Sequence, residues 1–246
     1  MSAFSSVSYK DNIESTPNQP SQQAGIKRLG NRQVQERQLQ KQAQIAAQQG
    51  DYHAAIELLD CLIGQAPTNA TYYNNRGLLH FQSGRPDYAI QDYNTALKLN
   101  PKLASVYNNR ANYYASQGKL IEAIADYDSA LNLNPGNIRA RINQGITLRD
   151  LGFHERAIEE FDLALQLSCG SAYLTDISGL SAFPGGHIYA ERGHTYHLLG
   201  DWNYAIADYQ RALTLLSQPQ LPWMNMSHRL YLQVTNWLEE LMSLVR

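Results

Sequence analysis

Residues 70–103 read ATYYNNRGLLHFQSGRPDYAIQDYNTALKLNPKL, and residues 104–137 read ASVYNNRANYYASQGKLIEAIADYDSALNLNPGN. Both stretches are 34 residues long and correspond position by position: Tyr73 to Tyr107, Arg76 to Arg110, Gly77 to Ala111, Gly84 to Gly118, Ala89 to Ala123, Tyr93 to Tyr127, Ala96 to Ala130 and Pro101 to Pro135. A fixed period of this length is the signature of stacked units that share a core with their neighbours. Inside each unit the apolar spacing is helical. Tyr73, Gly77 and His80 share one face of a first helix; Ala89, Tyr93 and Ala96 share one face of a second. The small residues let the two helices approach, and the tyrosines fill the remaining space. Gly84 suits the turn between them because it has no Cβ to oppose a positive φ. Pro101 closes the second helix, whose hydrogen-bond ladder it cannot continue.

The register extends both ways. Gly50 and Ala55 stand one period before Gly84 and Ala89, so residues 36–69 are a first repeat with Ala43, Leu59, Leu62 and Pro67 in place. A fourth repeat, 138–169, keeps Gly145, Leu148, Gly152, Ala157, Phe161 and Ala164, but Cys169 stands where the closing Pro belongs. The phase then slips: Gly145 to Gly193 is 48 residues, one period plus 14. The surplus lies in an insertion, 168–185, whose Tyr173, Leu174, Ile177, Leu180 and Phe183 make it too apolar for a free loop. A fifth repeat occupies 186–217, with Tyr189, Gly193, Tyr196, Gly200, Ala205, Tyr209 and Ala212. In the segment 222–246, Met226, Leu230, Val234, Trp237 and Leu241 recur at helical spacing, as expected of a helix capping the last repeat. Residues 1–30 are rich in Ser, Gln, Asn and Pro and are expected to form a disordered tail, with the array spanning 31–217.

The aromatic, small, aromatic, small, Pro spacing resembles the tetratricopeptide repeat (TPR) family. The resemblance implies an all-α, right-handed superhelical solenoid of five helix-turn-helix repeats plus a C-terminal capping helix. It implies a protein–protein interaction scaffold, adaptor or assembly factor that binds a protein or peptide in a concave groove lined by the first helices. Carried over position by position, the groove receives Asn74, Asn75, Asn108, Asn109, Asn112, Arg139, Asn143, Arg149, His187, His194 and His197. Asparagine offers both donors and an acceptor, so Asn75, Asn109 and Asn143, which share one repeat position, suit the main chain of an extended peptide. One subgroup of the family grips a C-terminal carboxylate with a set of cations. Here Asn109 and Arg139 match that set, but Asn74, Leu78 and Asn143 replace the rest, so such a clamp is not expected. The Arg-Gly…Asp-Tyr-x-x-Ala-Leu style resembles repeats of bacterial, cyanobacterial and plastid proteins, photosystem assembly factors among them. A structural subunit of a fixed complex is the alternative.

Arginine and aspartate also vary together: Arg76 with Asp92, Arg110 with Asp126, Arg192 with Asp208, and Gln144 with Glu160 in the fourth repeat. Side chains that change jointly are expected to meet, within or between units. At the far end, Arg139, Arg149, His187, His194 and His197 form an expected cationic patch for an acidic partner. The three histidines also admit a metal, a lesser reading because no Cys or acid stands at an obvious ligand spacing.

A net charge of −2 argues against nucleic acid as a partner. Cys61 and Cys169 are far apart and fit a reducing compartment. The N-terminus shows no apolar leader pattern, and no run of 18 apolar residues occurs, so a cytoplasmic protein without membrane insertion is expected. No phosphate-binding glycine loop, metalloprotease helix or CxxC is present, and neither catalysis nor a cofactor is expected.

Overall fold

Five helix pairs and a closing helix make up the chain in a computed structural model, which describes residues 19–170, 184–217 and 224–244. The pairs are α1 (Gln19–Gln48) with α2 (Tyr52–Gln65), α3 (Ala70–Gln82) with α4 (Pro86–Leu99), and α5 (Ala104–Ser116) with α6 (Leu120–Leu133). They continue with α7 (Ile138–Asp150) beside α8 (His154–Gly170) and α9 (Pro184–Leu199) beside α10 (Trp202–Leu216), and α11 (Met224–Leu244) follows. Among the described residues there is no strand. The insertion residues Tyr173, Leu174, Ile177, Leu180 and Phe183 lie outside the described residues, as do residues 1–18 of the expected tail.

Local chemistry sets the helix ends. Asp51, Asn69 and Asn137 cap α2, α3 and α7 by accepting from the backbone N–H of Ala54, Thr71 and Ala140 at 3.0, 3.1 and 3.2 Å. The turn glycines Gly84 and Gly118 have φ of 74° and 70°, the left-handed conformation the sequence calls for. Helices α4 and α6 stop at Leu99 and Leu133, just ahead of Asn100-Pro101 and Asn134-Pro135. Helix α8 has no proline to stop it and runs on to Gly170. Helix α1 begins at Gln19, so residues 19–30 are helical where a disordered tail was expected. The physical reason is that Pro20 falls in the first turn, where a missing N–H costs nothing, and no proline follows until Pro67.

Within a pair, glycine meets an aromatic ring. A Cβ on Gly77 would come within 2.9 Å of the Tyr93 ring, on Gly193 within 2.9 Å of Tyr209, and on Gly145 within 2.7 Å of Phe161. Ala89, Ala96, Ala123, Ala130, Ala157, Ala164, Ala205 and Ala212 are fully buried along the second helices. Each second helix packs on the first helix of the next unit, which continues the core from α1 to α11. First helices also touch one another, α3 with α5, α5 with α7 and α7 with α9, whereas the second helices make no comparable mutual contact. The first helices therefore line the inner side of the stack.

The three covarying Arg–Asp pairs meet within their units, each arginine also reaching back to the preceding unit, whereas Gln144 and Glu160 do not meet. Arg76 donates from Nε and Nη2 to the two carboxylate oxygens of Asp92 at 2.9 and 2.6 Å, and its Nη1 donates to Asp60 of the preceding unit at 2.6 Å. Arg110 repeats this with Asp126 at 2.7 and 2.8 Å and with Asn94 at 2.9 Å. Arg192 does so with Asp208 at 2.7 and 2.9 Å and with Asp162. In the fourth repeat Gln144 keeps only the backward bond, to Asp128 at 2.6 Å, while Glu160 pairs with Arg141 at 2.9 Å. Each arginine fork thus fixes three helices at once.

Candidate peptide-binding groove

The inner side is built from α3, α5, α7 and α9, and asparagines tie the first three of these together. Asn109 Nδ2 donates to Asn74 Oδ1 at 3.0 Å, joining α5 to α3. Asn143 Nδ2 donates to Asn112 Oδ1 at 2.9 Å, joining α7 to α5, and Tyr127 donates to the same oxygen at 2.6 Å. Asn74 also donates to Asn75 Oδ1 at 3.3 Å, and Asn108 to Asn109 Oδ1 at 3.4 Å. Asn75 is exposed, and Asn108, Asn109, Asn112 and Asn143 are half-buried. Asn74, expected on the groove surface, is instead buried between α3 and α5, where its carbonyl receives Asn109. Asn109 and Asn143 each spend one N–H on a neighbour and keep the second.

The same repeat position that holds Asn109 and Asn143 holds Glu191 on α9. Its carboxylate receives Arg149 Nη1 of α7 at 2.6 Å and lies 3.3 Å from His187 Nε2. Burial alone would raise the Glu191 pKa. The His187 hydrogen bond and the Arg149 guanidinium outweigh it and hold the group down at about 2. The expected cationic patch is therefore reshaped. Arg149 is neutralised by Glu191 and also reaches Asp150 at 3.3 Å. His194 is stacked on Trp237 of α11 at 4.2 Å, and burial, with the Arg149 charge next, pushes its pKa below the usual imidazole range. His197 Nδ1 lies 3.3 Å from the Tyr209 hydroxyl. His187 stays partly exposed, and Arg139 is exposed on the same side. The helical spacing of the three histidines and a capping helix over the last repeat were legible; that Trp237 of this helix would stack on His194 was not, because spacing along one helix does not show which side chain of another meets it. Among the described residues no group of three His, Cys, Asp or Glu side chains is placed to hold a metal ion.

A protein-family model described as tetratricopeptide repeat matches residues 70–103 and 104–137. The chain carries tetratricopeptide repeats. Among solved structures it is similar to TTC0263, a thermophilic TPR protein of Thermus thermophilus, at 16% identity and a TM-score of 0.61, covering 82% of this chain and 97% of that one. It is similar to YrrB, a TPR protein with an unusual peptide-binding site, at 16% identity and a TM-score of 0.56, covering 80% and 90%. It is also similar to MamA, at 20% identity and a TM-score of 0.57, covering 69% and 91%. At these identities the likeness is one of fold: an all-helical TPR solenoid. No protein of curated function matches the chain. The pairs α1–α2, α7–α8 and α9–α10 fall outside the two matched segments yet share their helix-on-helix packing. No helix among the described residues is long and apolar enough to cross a membrane.

Proposed function

We propose that the inner face binds an extended segment of a partner protein, so that the chain acts as an adaptor or assembly factor. The observation that supports this reading is the asparagine row on α3, α5 and α7. Asn109 and Asn143 are pinned by their neighbours and Asn75 is exposed beside them. Pinned amides meet a peptide backbone without paying again for their own ordering. Neutral amides read main chain whatever the side chains, and Arg139 at one end of the row favours an acidic residue there.

Panning a displayed peptide library against the protein tests this. Binders are expected to lose at least tenfold in affinity, about 1.4 kcal/mol, with Asn75→Ala. The same exposed substitution is expected to change folding stability by no more than about 0.5 kcal/mol. The triple variant Asn75/Asn109/Asn143→Ala is expected to lose binding altogether, and also some stability, since two of its amides tie helices. Peptides that bind the triple variant as tightly as the unmodified protein would remove the ligand from the inner face.

A further inference from the structure

Three repeats carry the arginine fork, and in two of them the guanidinium lies between two tyrosine rings. Arg110 is 5.8 Å from the ring centroids of both Tyr107 and Tyr114. Arg192 is 5.5 Å from Tyr189 and 5.8 Å from Tyr196. Arg76 has the first of these rings, Tyr73 at 5.6 Å, but the residue four positions on is His80. The Arg192 repeat shares one more ring with the Arg76 repeat. Tyr204 stacks on Tyr196 at 5.2 Å, and Tyr88, at the same offset, lies on His80 at 5.3 Å. An imidazole is shorter than a phenol ring, and here the surface opens into a cleft of about 680 Å³ between α2 and α4. Arg76 and His80 of α3 stand in its wall, with Glu57, Arg85 and Tyr88 around them. Clefts of roughly 300–1,000 Å³ are of the size that hold ligands.

We propose that this cleft is a second docking site, on the outer side of the stack, and that it receives the side chain of a tyrosine from a partner protein. The chain itself supplies the precedent, because the place beside a fork arginine holds a phenol ring at Tyr114 and again at Tyr196. A guest ring there completes the sandwich on Arg76. The charge of Arg76 is already met by Asp60 and Asp92, so a neutral guest gains the cation–π attraction without bringing a counter-ion. His80 points to tyrosine over phenylalanine. It is 8% exposed, and its Nδ1 is buried with no hydrogen-bond partner. Burial pushes its pKa below the usual imidazole range, so at neutral pH the ring is uncharged and keeps one nitrogen as an acceptor. A phenol hydroxyl whose entry turns the imidazole enough to uncover Nδ1 supplies the missing donor.

The test is a titration of the isotope-labelled full chain, read at the Arg76 Nε–H and His80 ring signals. The probes are the blocked peptide acetyl-Gly-Tyr-Gly-amide, its Phe and Leu counterparts, and free tyrosine. The blocked tyrosine peptide is expected to move both signals at millimolar concentration, the Phe peptide several-fold less, and the Leu peptide not at all. His80→Tyr, which fills the place with the chain's own ring, is expected to abolish the response and raise the unfolding temperature. His80→Leu copies Leu148 of the fourth repeat, and it is expected to weaken the response several-fold even if His80→Tyr does not fold. Asn75→Ala leaves the response unchanged, which separates this site from the inner face. No movement in the unmodified protein, equal movement with the Leu peptide, or an undiminished response in both His80 variants overturns the proposal. Free tyrosine acting as strongly as the blocked peptide also overturns it, by making the cleft a small-molecule site.

Discussion

Arg110 shows what a single side chain contributes to this fold. It grips Asp126 through two parallel hydrogen bonds while its remaining nitrogen reaches Asn94 on the previous unit. Both partners of the main pair are largely buried, at 20% and 9% exposure, so the pair is screened far less than a surface ion pair. A double-mutant cycle with Arg110→Ala and Asp126→Ala is expected to return a coupling energy of about 1–3 kcal/mol in urea unfolding. Additive single effects would mean the two side chains do not depend on each other. Half of this device was legible: Arg76, Arg110 and Arg192 change together with Asp92, Asp126 and Asp208, and Gln144 changes with Glu160. The backward bond had a signal too, since Asp60, Asn94, Asp128 and Asp162 recur at one period. That signal was weak because the same position alternates between Asp and Asn, which removes the charge that would have marked it.

At the level of helices, the junction of α7 with α9 is the place where the period breaks, and it is held by Arg149 and Glu191. The Glu191 pKa is depressed from 4.5 to about 2, so the carboxylate stabilises the fold fully above the unfolded value. That contribution is lost as pH falls from about 4.5 through 2, and it amounts to about 3 kcal/mol. Thermal unfolding followed from pH 6 to about 2 should therefore show a steeper acid loss in the unmodified protein than in Glu191→Gln. Parallel curves for the two would show that the carboxylate titrates alike in folded and unfolded chains. The sequence put Arg149 and His187 on first helices but did not pair them with Glu191, because repeat register alone does not show which side chains of two neighbouring helices meet. Helix ends were legible wherever a residue type enforces them, as at Pro101 and Pro135. They were not legible at Gln19, where Pro20 is tolerated in a first turn but does not enforce one.

Across the whole molecule, the repeat period was enough to reveal the solenoid, because stacking follows from the buried stripe each helix carries. The inner face was less legible. Positional carry-over put Asn74 on the surface, but position alone does not distinguish an amide that faces a ligand from one that braces a neighbouring helix. The end of the stack is sealed by α11, whose Val234 and Leu241 are fully buried and whose Trp237 lies on both His194 and Tyr209. Terminal units with an exposed apolar face associate. A chain ending at Ser217 is therefore expected to unfold at a lower temperature and to sediment as oligomers. A monomer of unchanged melting temperature would show that α11 adds nothing. The seal also bears on how such an array lengthens. A new unit cannot be appended after α10 without prising Trp237 from its two rings, so lengthening at this end has to insert the unit ahead of α9. The two most alike copies, residues 70–103 and 104–137, stand in its interior, where a duplicated unit inherits a matching surface above and below.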